Sequence, residues 1–362
     1  MTKVALRPYA LLPRQYDERK VLASTVDPWG RALWLICPDA RFPYRWGGRD
    51  VPAPAKLPFD ALVVISDRGQ VRERTLRGVA VDPVAFDALP GGGFVLAGSG
   101  APNARSGQVF GPDGRSRRRL ALGTHLTHLV ADSRAGFWTG YADEGIYSGD
   151  DVSAGGLVHW DNRGNHAGSL HPPKPYQHVA DISAINVSDA VAHATYWPGA
   201  PLVTTGPGGT LRIRALPISG PLGLATRGDR LLLLGGREQG IDTRGNTVHR
   251  LQLTGDEAAV VGRDDLVFPN GDPVRRYARP VCRGPRIFLR TPRTVRQWWV
   301  LTVPVRAAAR RGACGGVVSG GQDDEPHDRK QCPAFPCRLH GGRGRRRGGV
   351  GRVLRRRDHP AR

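Results

Sequence analysis

The sequence predicts an all-β fold: a six-bladed β-propeller of four-stranded antiparallel blades, closed by the N-terminal strand and followed by a disordered basic C-terminal tail. Three observations lead there. A strand, a tight turn and a second strand rich in aliphatic and aromatic residues recur six times, with Gly in five of the turns, at spacings of 40 to 62 residues. Irregular intervals of this size are those of propeller blades with variable loops. A second hairpin follows most copies, and no stretch has the period of a long amphipathic helix.

The copies, in chain order, begin at Ser24, Phe86, His128, Ser183, Gly223 and Arg279. Their turns place Gly where a positive φ is needed, as in Asp67-Arg68-Gly69, Asp113-Gly114 and Asn162-Arg163-Gly164. Two hairpins per copy make one four-stranded sheet, and such a sheet buries both faces only against its neighbours. The sixth copy has strands at 286–290 and 295–303 but no fourth strand after them. Residues 3–12 are expected to supply it, which removes an open sheet edge. Two insertions are long enough to be functional: residues 38–58, with Phe42, Tyr44 and Trp46, and the acidic residues 142–156.

Residues 1–303 are expected to form the propeller and 304–362 the tail. The tail holds 14 Arg and 11 Gly, with Phe335 as its one aromatic. Such a segment buries too little apolar surface to offset its ordering entropy. The net charge is +21, yet only five of the 53 basic residues are Lys. Arg, Gly, Ala and Pro all have GC-rich codons, so genome composition explains much of the bias. The tail predicts weak nonspecific nucleic-acid binding. No run of 18 apolar residues occurs and the first twelve residues lack a signal-peptide core, which predicts a cytoplasmic protein with no membrane partner. Cys37 and Cys282 sit in apolar runs, the other three cysteines lie in the tail, and all five are expected as free thiols.

Three groups of residues bear on chemistry. Asp132 is expected to cap its hairpin turn, with Trp138 and Tyr141 packed between blades. Asp143 and Glu144, just after the second strand of the third copy, are candidate oxygen ligands for a divalent metal such as Ca²⁺. Asp181 and Asn186, in the apolar approach to the fourth copy, either satisfy neighbouring backbone or join that metal site. His128 is the candidate general base. In the tail, His327, Cys332, Cys337 and His340 could make a tetrahedral zinc site.

The segment ADSRAGFWTGYADEG at 131–145, followed by GLVHWDNRGN at 156–165, resembles the blades of NHL-type and gluconolactonase-like propellers. With FDALPGGGFVLAG at 86–98, it is also similar to uncharacterised propeller-like proteins of high-GC actinobacteria. The resemblance covers about residues 20–303. It implies the six-bladed architecture and leaves function open, because one architecture hosts many activities. Lactonase-like members hold a divalent metal in the channel through Glu, Asn and Asp. The expected function is a non-enzymatic scaffold for an unidentified protein or small ligand, with a metal-dependent hydrolase or lactonase as the alternative.

Overall fold

The computed structural model describes residues 2–304, except 38–42, 47–48, 53–56, 99, 102–103, 135, 207–209, 240, 244, 276 and 292–294. The expectations for the tail, its zinc ligands and Phe42 lie outside the described residues, as do the side chains of Tyr44 and Trp46.

The fold is all-β and propeller-like, built from four-stranded antiparallel arrays. The first array pairs Lys20–Val26, Ala32–Cys37, Phe59–Asp67 and Gln70–Val79 in that order. The second uses Pro83–Ala88, Phe94–Gly98, Gly107–Phe110 and Ser116–Leu120, and the third Leu126–Ala131, Gly136–Tyr141, Leu157–Asp161 and His166–Ser169. The fourth runs Asp181–Ser188, Val191–Trp197, Leu202–Thr205 and Leu211–Arg214. The fifth is Gly223–Arg227, Arg230–Leu234, Thr247–Thr254 and Glu257–Val267. Val281–Arg283, Arg286–Leu289 and Gln297–Thr302 start a sixth, completed by Arg7–Leu11. Residues 38–58, read from sequence as a loop, contain a small hairpin that pairs Pro43–Trp46 with Arg49–Pro52. Among the described residues no helix is long and apolar enough to cross a membrane.

Side-chain character follows depth in each array. The second strand of the first array, ALWLIC, is buried at all six positions, and its unbroken apolar run suits a strand covered on both faces. The outermost strand, QVRERTLRGV, is exposed along most of its length. Apolar side chains then fuse each array to the next. Leu33 and Phe86 join the first and second, Phe137 and Val109 the second and third, and Trp138 and Tyr196 the third and fourth. Leu202 and Leu233 join the fourth and fifth, and Ala225 and Ile287 the fifth and sixth. A sixth cluster places Trp34 and Val64 of the first array against Phe288 and Trp298 of the sixth.

The N-terminal segment does more than the expected single strand. Thr2–Ala5 adds in parallel to the fifth array, with Thr2 opposite Asp264 and Ala5 opposite Val267. Only Arg7–Leu11 pairs with the sixth. Leu6 separates the two pieces because its side chain turns into the cluster between those arrays. Beyond Leu12, which is buried in the cluster between sixth and first arrays, the Tyr16 hydroxyl donates to Glu73 of the first array. Arg296 of the sixth clamps the same bend through the Tyr16 carbonyl at 2.7 Å. One short segment therefore crosses three arrays. Leu12 is 1% exposed and its neighbour Leu11 is 60% exposed. Leu12→Ala is expected to lower stability by about 2–5 kcal/mol, and Leu11→Ala by less than about 0.5 kcal/mol, both read by urea denaturation.

Candidate functional site

The first strand of each array is its innermost, and neighbouring innermost strands lie side by side. Asp181–Ser188 and Val281–Arg283 pair in parallel, with Asn186 opposite Cys282, and join the fourth and sixth arrays in one eight-stranded sheet; the other inner edges would leave backbone N–H and C=O groups without partners. At the ends of these strands, three side chains meet that need. Arg283 of the sixth array donates Nε to the Val26 carbonyl of the first at 3.1 Å. Its Nη1 donates to the Ala131 carbonyl of the third and its Nη2 to the Asp87 carboxylate of the second. Asp87 accepts in turn from Ala131 N at 2.8 Å and Ala88 N at 2.9 Å. Asn186 of the fourth array donates to the carbonyls of Leu224 at 2.9 Å and Gly284 at 2.8 Å, in the fifth and sixth. Its Oδ1 accepts from Gly284 N at 2.7 Å. Gly284 has φ +48, which a side chain adopts only with strain. Burial pushes the Asp87 carboxyl up to about 6, against the pull of Arg283 and the Ala131 N–H, so it is ionised at neutral pH.

The opposite ends of the same strands hold most of the residues singled out from sequence. Asp181 is the first residue of its strand, and Arg279 stands two residues before Val281–Arg283. His128 is buried on the innermost strand of the third array. Arg279 Nη1 lies 3.3 Å from its Nδ1 and 3.4 Å from its Nε2. The Thr127 hydroxyl donates to the Gly140 carbonyl at 3.0 Å and lies 3.0 Å from His128 Nδ1. Nearly equal distances to the two ring nitrogens put the Arg279 guanidinium over the face of the imidazole and not on either lone pair. Burial, then the Arg279 charge, holds the His128 pKa well below the ordinary value, so the ring is neutral. Asp143 and Glu144 occupy one turn of helix, Asp143–Ile146, in the segment expected to be a loop. Burial raises Asp181, with the charges of Asp143 and Glu144 adding to the rise and Arg279 opposing it.

A recurring bulge shapes this end. In the first four arrays the innermost strand slips by one residue near its start, at Leu22, Val84, Thr127 and Ser183. Each of these residues is more exposed than the buried residues that follow it. A bulge re-aims its residue out of the pleat, so the mouth combines aliphatic and hydroxyl groups with the Arg279, Asp181 and His128 cluster.

The expected site is thus divided. His128, Asp143, Glu144 and Asp181 gather at one end, and Asn186 lies at the other with its amide engaged by backbone. Among the described residues no group of three or more His, Cys, Asp or Glu is arranged to hold a metal. The cap reading of Asp132 holds, since its Oδ1 accepts from Arg134 N at 2.7 Å. Sequence reasoning missed Asp87, Arg279 and Arg283. Asp87 carries the same signal as Asn186, a polar residue near the end of an apolar innermost strand. The arginines carry none, being two among many.

Asp87 and Arg283 are nearly fully buried. Arg283→Met strands the Asp87 charge and is expected to cost about 3–5 kcal/mol. Adding Asp87→Asn is expected to cost less than the sum of the two single changes in a thermodynamic cycle from chemical denaturation. His128 gives a pH test. Its native pKa is depressed, so its stabilising contribution is present above about pH 6.5 and is lost as pH falls. His128→Gln is expected to flatten the fall of melting temperature between about pH 7 and 5.

No family model matches the chain, and no curated protein matches its sequence. Solved structures give distant likenesses. A virginiamycin B lyase from Staphylococcus aureus is similar at 14% identity and a TM-score of 0.43, over 83% of this chain and 99% of that one. Apo AztD from Citrobacter koseri is similar at 12% identity and a TM-score of 0.36, covering 76% of this chain and 78% of that one. A chain of a nidogen–laminin complex is similar at 9% identity and a TM-score of 0.38, over 66% of this chain and 84% of that one. Identities of this size carry no residue-by-residue correspondence.

Proposed function

We propose that this chain is a non-enzymatic propeller scaffold that binds a small polar ligand at the mouth formed by Arg279, Asp181 and His128. In this reading the arrays are six blades of one ring, the last completed by the N-terminal strand. The six apolar clusters support it, because they link each array to the next and the sixth back to the first. The observation that carries the binding reading is Arg279. Its side chain is exposed at the mouth and lies against the His128 ring, and Asp181 is near enough for the two charges to act on each other without a salt bridge between them. A guanidinium in that setting suits a ligand with a carboxylate or similar anionic group. The bulged Leu22 and Val84 offer it an apolar flank.

The scaffold reading also fits His128. The Arg279 cation lies over its ring, and a cation there disfavours taking a proton from water. A cytoplasmic location belongs to this reading, on composition. The free, buried thiols of Cys37 and Cys282 suit a reducing compartment.

One observation favours the alternative, a metal-dependent hydrolase. Asp143 and Glu144 lie close enough to Asp181 for their charges to raise it, and a Ca²⁺-like ion would neutralise all three. Calorimetric titration separates the two readings. The scaffold predicts no heat with millimolar Ca²⁺, Mg²⁺ or Zn²⁺, together with binding from a panel of small carboxylic acids that Arg279→Met abolishes. Metal binding lost in Asp181→Asn but kept in Asn186→Ala would favour the hydrolase.

A further inference from the structure

The outer surface of the first two arrays carries a charge that the mouth does not use. The exposed strand Gln70–Val79 bears Arg72, Arg74 and Arg77. Ser116–Leu120 bears Arg117, Arg118 and Arg119, all exposed, with Arg115 just before it. The two strands meet. Arg77 and Arg115 form a parallel bridge, and Arg77 N donates to the Gly114 carbonyl at 2.9 Å. The approach is so close that a Cβ at Gly114 would collide with the Thr75 carbonyl. Seven arginines therefore lie on or beside these two adjoining strands, with four carboxylates close by: Glu73, Asp113, Asp60, which accepts from Gly78 N at 2.8 Å, and Asp67, which lines a cleft with Arg72 and Arg74. Glu73 is engaged by the Tyr16 hydroxyl, and Asp113 by Arg115 N at 3.2 Å and Arg117 Nη2 at 2.8 Å.

High arginine usage along the chain does not account for this placement. The outermost strand of the third array, His166–Ser169, has none, and that of the fourth, Leu211–Arg214, has two, Arg212 and Arg214, both donating to the Gly255 carbonyl. That of the fifth has Arg263 alone, paired to Glu238, beside Glu257, Asp264 and Asp265. Several side chains of the patch are also held in place. Arg119 Nη2 donates to the Arg105 carbonyl at 2.7 Å, and Arg118 to Asn165 Oδ1 at 2.5 Å. Beside them a cleft of about 510 Å³ opens between the second and third arrays, rimmed by Arg117, Arg118 and Arg163 over Leu89 and Phe110.

We infer that this surface binds the phosphate backbone of a nucleic acid, independently of the tail and of the mouth. A run of guanidinium groups matches a run of phosphates in charge and in bidentate hydrogen-bond geometry. Neither Gln70–Val79 nor residues 111–120 contain an aromatic side chain, so the patch engages phosphate and does not stack on bases. Binding is then independent of sequence and strongly dependent on salt.

The test uses the full chain and a fluorescein-labelled DNA oligonucleotide, single-stranded and as a duplex, with anisotropy read between about 50 and 200 mM salt. The patch variant is Arg72→Gln, Arg77→Gln, Arg118→Gln and Arg119→Gln. The control, equal in charge, is Arg7→Gln, Arg14→Gln, Arg212→Gln and Arg275→Gln. A third variant carries Lys at the four patch positions. The tail is present in all, so a difference between variants does not come from it. The patch variant is expected to bind at least about tenfold more weakly, with the slope of log K against log salt shallower by about 0.9 for each phosphate that the replaced arginines neutralise on a duplex. The control and the Lys variant are expected to stay within about threefold of the parent, the latter showing that charge and not folding was removed. No binding by the parent overturns the inference. So does a patch variant that binds like the parent, or a control that weakens as much as the patch variant.

Discussion

The fold depends on closing the free inner edges of its strands. Arg283, Asp87 and Asn186 do this with side chains, beside the one strand pairing that joins the fourth and sixth arrays. Between them they touch all six arrays: Arg283 reaches from the sixth to the first, second and third, and Asn186 from the fourth to the fifth and sixth. Taking an Arg and an Asp out of water is costly, and the pair alone would return little net stability. Here each charge also satisfies backbone groups that would otherwise be buried without partners. The gain is therefore geometric as well as electrostatic, since the arrays are held at one mutual spacing.

Closing one end leaves the other open for binding. The innermost strands carry their polar cross-links at their last residues and their bulges near their first. A bulge costs ladder hydrogen bonds but turns one extra residue out of each strand. Thr127 shows the benefit. Its hydroxyl donates to Gly140 and lies 3.0 Å from Nδ1 of the buried His128, whose ring stands against Arg279.

Much of the fold is legible in the sequence. The Gly turns and apolar strands locate the arrays, and the missing strand of the sixth points to the N-terminus. The division of that segment at Leu6 is not legible, because Thr2–Ala5 and Arg7–Leu11 have equally strand-like residues. Only the three-dimensional neighbour decides which array each joins. Side-chain roles are harder. Asp132 announces itself through its local turn, and local hydrogen bonds follow from local sequence. Asn186 and Asp87 bond to residues far away in the chain, and no spacing rule encodes those partners. Asn186 reads as a possible ligand for the reason that makes it structural: an amide in an apolar strand must find partners, and backbone supplies all of them.

The same depth gradient separates the two surfaces that remain for function. Inner strands are covered on both faces, so each polar side chain there must be matched by a partner, and the sequence tolerates few. Outermost strands have a solvated face and no such demand, so they can accumulate arginine with little loss of stability. The first and second arrays do this where their outer strands touch, at Arg77 and Arg115. Like charges brought together in this way repel one another, and nothing in the packing of the fold requires them side by side. The core of these arrays is satisfied by Leu76 and Leu120, which are buried on the same two strands. A cluster of charge that the fold does not need, and that is kept against self-repulsion, is better explained by an anionic partner than by packing.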